Sequence, residues 1–141
     1  MSATLVRQSV EEDAARQLIL EGISCLQSDN FDSYFDLFSQ DAVWMMPSKF
    51  GDVGIAEARK FYNFTAKFRF EQESTIDELR VFEGWGFARL SFDGYLVAKQ
   101  DSTAAPIRSV SRHIWMIARQ PSGLWKITRD MWNNPRDTQN R

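Results

Sequence analysis

The chain has 141 residues, with 17 Lys and Arg against 19 Asp and Glu, for a formal net charge of -2. That is one domain's worth of sequence, enough to bury a core without staples. It has no basic excess with which to neutralise a nucleic acid backbone. One cysteine, Cys25, and one histidine, His113, exclude an intrachain disulfide and a Cys/His zinc cage by count.

No secretory leader follows Met1, and no run of about 18 apolar residues is present. With a single cysteine, these features predict a cytoplasmic protein without a membrane partner. No repeat or linker divides the sequence, so residues 1–141 read as a single domain with its core over 9–134. The polar tail 135–141 is expected to fray.

Helices come first. Ser9-Val10-Glu11-Glu12 matches a capping box. Val10, Ala14, Leu18, Gly22 and Leu26 then recur every four residues, widened by Ile19 and Ile23, which predicts a helix over 9–27. Glu11, Glu12 and Asp13 read as first-turn charges. A second helix, 30–39, carries Phe31, Tyr34, Phe35 and Phe38. A short strand over 42–46 ends at Pro47, with Trp44 and Met46 on one face. A third helix spans 54–68 and carries Ala58, Phe61, Tyr62 and Thr65. Four strands follow, over 75–82, 87–99, 107–119 and 124–133. Helices, a strand, a helix and a run of antiparallel strands predict an α+β domain with helices on one face of a curved sheet.

The last hairpin decides which residues share a face. Pro121 and Gly123 suit a type I turn followed by a left-handed glycine, a three-residue loop with a bulge. In that register Asp130 opposes Ile114, with Arg112, Met116, Thr128 and Trp132 on the same face. His113, Trp115, Ile117, Trp125, Ile127, Arg129 and Met131 fall on the other. A two- or four-residue loop would place His113 opposite Asp130 instead. The face with two Trp, two Ile and Met131 is expected to meet a second copy of the chain. The alternative is an apolar monomer surface.

The stretch from Leu26 to Pro47 (LQSDNFDSYFDLFSQDAVWMMP) resembles the opening of SnoaL-like and ketosteroid isomerase-like proteins of the nuclear transport factor 2-like superfamily. Gly54 to Tyr62 (GIAEARKFY) resembles their third helix, and Gln120 to Asn133 (QPSGLWKITRDMWN) their terminal strands. The resemblance implies a cone-shaped sheet, mixed or antiparallel, wrapped around a long N-terminal helix with two further helices. It also implies a pocket for a small hydrophobic molecule, no cofactor, and a homodimer through the outer sheet face. Members include isomerases, dehydratases, cyclases, an epoxide hydrolase and noncatalytic binding modules, so the fold alone does not decide function.

The family's catalytic residues transfer poorly. The steroid isomerase base falls at Met46, its helix 1 tyrosine at about Gly22, and its protonated aspartate at about Arg112 or His113. Tyr62 matches a pocket tyrosine and Phe61 a pocket aromatic. The epoxide hydrolase pairs a last-strand Asp with a neighbouring Arg, but its second carboxylate has no counterpart here. Asp130, a poor strand former among strand formers, is the candidate general base. Arg112, His113 and Tyr62 are candidate electrophiles or hydrogen-bond donors. Trp44, Met46, Phe35, Phe61, Ile114, Met116, Thr128 and Trp132 are candidate walls of a substrate pocket. Two functions follow: an isomerase-, cyclase-, dehydratase- or hydrolase-type enzyme using acid–base chemistry at Asp130, or a noncatalytic dimeric binding module. Cys25 reads as buried and inert.

Overall fold

The computed structural model describes residues 3–135, so only Pro135 of the expected tail 135–141 falls within it. Helix α1 spans Ala3–Gln27 and starts well before Ser9, so the capping box lies inside the helix and caps nothing. The extra turns dock on the sheet. Gln8 donates to the Val81 carbonyl at 2.7 Å. Glu11, expected among solvated first-turn charges, is buried, pairs with Arg119 at 2.8 Å and accepts the Gly84 N–H.

Asp29 stops α1 with a left-handed φ of 63°, and the Asn30 side chain then caps α2, Phe31–Asp36. Strand β1, Phe38–Met45, begins earlier than 42 because Phe38 pairs with Ile127. Helix α3 is short, Ile55–Phe61, and tightens into a 3-10 turn, Tyr62–Ala66. Strand β2, Phe68–Val81, starts well before residue 75. Its Phe68, Phe70 and Gln72 alternate with Arg69, Glu71 and Glu73, a two-residue period that the helical reading of 54–68 overran. Strands β3, Trp85–Ala98, β4, Ile107–Arg119, and β5, Trp125–Asn133, fall close to expectation.

The five strands form one open sheet in the order β1-β5-β4-β3-β2. Strand β1 runs parallel to β5 and the other pairs are antiparallel. The sheet curves, and its inner face carries the helices and the core.

The β4–β5 loop forms as expected. Gly123 takes φ 92°, its N–H bonds the Gln120 carbonyl at 2.8 Å, and Arg119 pairs with Trp125. The register then slips. Ile117 pairs with Ile127, but Met116 pairs with Arg129, so Thr128 is an extra residue on β5. Its Oγ1 donates to the Met116 carbonyl at 3.2 Å. This second bulge overturns the expected faces. Asp130 lies opposite Trp115, not Ile114, and shares the inner face with His113, Ile117, Ile127 and Trp132. Arg112, Ile114 and Met116 turn to the outer face and Thr128 is used up by the bulge, so none of the four belongs to the inner wall. Trp115, Ile117, Trp125 and Ile127 are buried within the chain and so cannot supply the expected partner face.

Candidate functional site

The inner face gathers most of the chemistry in the sequence around one carboxylate. Asp130 is fully buried. Its strand neighbours on that face are Trp44 of β1 and Trp115 of β4, both also fully buried. The same alternation brings His113 diagonally across, and its Nδ1 lies 2.7 Å from Asp130 Oδ1. The imidazole is fixed by two rings. Trp132 stacks on it at 5.0 Å between centroids, and Phe92 meets it edge-on at 5.1 Å. Its second nitrogen, Nε2, lies 3.0 Å from Ser111 Oγ.

Two tyrosines complete the cluster. Tyr34 of α2 and Tyr62 of the 3-10 turn are both buried, with rings 6.1 Å apart. Burial, first, and then the negative charge of Asp130 push the Tyr62 hydroxyl well above its ordinary range. Burial, then the neighbouring Tyr62, then Asp130 do the same to Tyr34. Both phenols therefore stay protonated far above neutrality and can only serve as neutral donors or acceptors. Two buried polar atoms in this region, Asp130 Oδ2 and the indole nitrogen of Trp115, have no hydrogen-bond partner, while the Tyr34 hydroxyl interacts with Tyr62 and the Trp44 indole. A core built only for stability satisfies such groups.

Of the expected site residues, Asp130, His113, Tyr62, Trp44, Phe35, Phe61 and Trp132 come together on the inner side. Phe35 packs edge-on against Tyr62 at 5.9 Å, and Phe61 lies 6.0 Å from Trp132. Met46 is buried in the same core. Arg112 is not beside Asp130, so the Asp–Arg pairing of the epoxide hydrolase has no counterpart. Arg112 and Ile114 instead line a recess of about 320 Å³ with Asp77, Arg89, Met131 and Asn133, and Leu90, His113 and Trp132 also contribute to its wall. A second recess of about 510 Å³ lies on the helical side, where Phe31, Phe35 and Tyr62 meet Arg59, Thr65 and Lys99.

Sequence reasoning missed Tyr34 and Ser111. Tyr34 was hidden in an aromatic stripe, although a hydroxyl among phenylalanines was a signal. Ser111 lies two residues from His113 on the same strand, so alternation alone put a hydroxyl beside the lone histidine and was a signal. Gly22 also has an explanation. A Cβ there would lie 2.8 Å from the Trp115 ring, so the indole fills the space a side chain at this position would take. Cys25 is buried, and burial, then Glu21, raises its thiol pKa, which leaves it a poor nucleophile.

No family model and no curated protein matches this sequence. Solved structures do. A ketosteroid isomerase-like protein from Erwinia carotovora atroseptica superposes with a TM-score of 0.76 at 16% identity, over 90% of this chain and 98% of that one. A candidate scytalone dehydratase from Novosphingobium aromaticivorans gives 0.72 at 15%, over 90% and 85%. An NTF2-like protein of unknown function from Pseudomonas putida gives 0.63 at 14%, over 94% and 92%. At such identities the likeness speaks for architecture alone. The chain has the nuclear transport factor 2-like fold found in SnoaL-like and ketosteroid isomerase-like proteins, here with an open five-stranded mixed sheet.

Proposed function

We propose that this protein is a cofactor-free enzyme that moves a proton on a small hydrophobic molecule, in an isomerase-, dehydratase- or cyclase-type reaction. The observation that carries the reading is the buried Asp130–His113 hydrogen bond of 2.7 Å. With Asp130 Oδ1 as the acceptor of that bond, its hydrogen sits on His113 Nδ1. Nε2 then presents its lone pair toward Ser111, at the more exposed end of the cluster. It can take a proton from carbon or oxygen of a bound molecule while Asp130 stabilises the imidazolium, and return it elsewhere. Tyr62 and Tyr34, held protonated, are donors for an oxygen that gains charge. Aromatic walls exclude water and favour an apolar substrate. The single buried thiol suits a reducing, cytoplasmic setting.

A noncatalytic binding module is the second reading, favoured by Met46 and Gly22 standing where the steroid isomerases keep a base and a tyrosine. In either reading we propose that two copies pair through the outer sheet face. Turnover separates the two. Against a panel of apolar carbonyl, hydroxy-carbonyl and epoxide compounds, Asp130→Asn should lower turnover by at least about 100-fold while ligand-induced thermal shifts persist. Binding without turnover in the wild type, unchanged in Asp130→Asn, would leave the binding module.

A further inference from the structure

We infer that Ser111 is a nucleophile activated through His113 and Asp130, and that the chain therefore carries an acyl-transfer activity toward esters or thioesters with an apolar acyl group. This goes beyond the proton-transfer reading, which makes no use of Ser111.

The geometry is a linear relay. Ser111 Oγ lies 3.0 Å from His113 Nε2, and His113 Nδ1 lies 2.7 Å from Asp130 Oδ1. The proton positions follow from the acceptor at the far end. Asp130 accepts the Nδ1 hydrogen, the neutral ring offers its lone pair at Nε2, and Ser111 is left to donate its hydroxyl there. That order of bonds raises the nucleophilicity of a serine, whatever fold supports it. Ser111 and His113 are two residues apart on β4, so they share the inner face, and β3 and β5 hold β4 on both sides. The clamp of Trp132 and Phe92 on the imidazole keeps Nε2 aimed at the serine.

Exposure grades along the relay. Asp130 is fully buried, His113 is 9% exposed and Ser111 is half-buried, so the nucleophile is the end nearest solvent. Phe92, buried and directly opposite Ser111 on β3, and half-buried Trp132 beyond the imidazole make the surroundings of the serine apolar. The neighbouring Ser109 lacks this arrangement, because its Oγ accepts a hydrogen bond from Gln72 at 3.1 Å.

The chemistry balances with water alone. Ser111 Oγ bonds to the acyl carbon as its proton passes to Nε2. The bond to the leaving oxygen or sulfur breaks, and that atom takes the proton from Nε2 and departs as alcohol or thiol. Water then adds to the acyl-serine, giving a proton to Nε2. The acid leaves, and the proton returns to Ser111 Oγ.

An alkyl fluorophosphonate tests this directly, because it phosphonylates an activated serine far faster than an ordinary one: the Oγ–P bond forms and fluoride leaves. Intact-mass and peptide mapping of the treated protein should show one adduct, on Ser111. Ser111→Ala should abolish it while keeping a cooperative melt. His113→Gln and Asp130→Asn should each slow it by at least about 100-fold, and the second variant keeps the test open if the first unfolds. With p-nitrophenyl butyrate the wild type should release a burst of nitrophenol that Ser111→Ala lacks. No adduct on Ser111, or one that forms as fast without the imidazole, overturns the proposal. Proton-transfer turnover of compounds without an acyl leaving group is a separate readout, so the two readings fail independently.

Discussion

Burial of a phenol beside a buried carboxylate has a cost that appears only when the phenol can ionise. Tyr34 and Tyr62 are such groups, both held above their ordinary pKa of 10.0 by burial and by Asp130. In the unfolded chain each ionises near pH 10. The folded state cannot follow, so above that pH the unfolded chain binds fewer protons and stability falls. The contribution is fully present below pH 10 and declines by up to about 1.4 kcal/mol per pH unit for each tyrosine above it. Urea unfolding from pH 9 to 11 should show the decline, and Tyr62→Phe should flatten it. An unchanged slope in Tyr62→Phe and Tyr34→Phe would mean that neither hydroxyl is confined as described. At this scale the sequence was partly informative. Asp130 stood out because a carboxylate is out of place between Arg129 and Met131 in a strand. Tyr34 did not, because helical spacing shows that a ring is buried but not which atoms its hydroxyl meets.

Elements set the faces, and here a single inserted residue governs the site. Pro121 and Gly123 predict the hairpin loop correctly, and the first pairs beyond it agree with that loop. Thr128 then bulges, and everything after it changes sides relative to β4. Nothing local marks this position, since threonine is an ordinary strand residue. The force that selects the slip is tertiary. It puts Asp130 and Trp132 on the side of α1 with His113, Trp115 and Ile117, where an unslipped β5 would put Arg129 and Met131. Gly22 records the same packing from the helix. Its missing side chain admits the Trp115 ring, with a Cβ 2.8 Å from Cζ3 and 3.0 Å from Cη2. Exposed in a helix, Gly→Ala gains about 1 kcal/mol. Here the ring has nowhere to go, lying against Tyr34 and Phe92. Gly22→Ala is therefore expected to destabilise by about 1 to 2 kcal/mol net, read as a lower urea midpoint with unchanged slope. A stabilised variant would show that the indole does not fill that space.

For the whole molecule, the bulge changes the character of the outer face. The sequence assigned that face two tryptophans, two isoleucines and Met131. Of these the fold turns out only Met131, 47% exposed, beside Met45, 36% exposed, its partner across the parallel β1–β5 pair. Half-buried Ile114 and Met116 adjoin them, with Arg89 and Arg112 alongside. An apolar centre with a charged rim is the composition of a modest, specific interface rather than of a core cut in half. A two-fold axis through such a patch brings methionine onto methionine, and this side chain adapts to a copy of itself without tight shape matching. Pairing through this face is therefore proposed with Met131 and Met45 at its centre in place of the tryptophans and isoleucines. Light scattering coupled to size exclusion should give twice the 16.4 kDa chain mass at micromolar concentration. Met131→Glu combined with Met45→Glu should return the chain mass, because the dimer would bring four carboxylates together in an apolar centre. Both positions are exposed in the monomer, so the variant should melt as a folded protein. A wild type that stays at the chain mass across the concentration range would remove the outer face as an interface. It would leave the inner cluster untouched, because every group in that cluster comes from one chain.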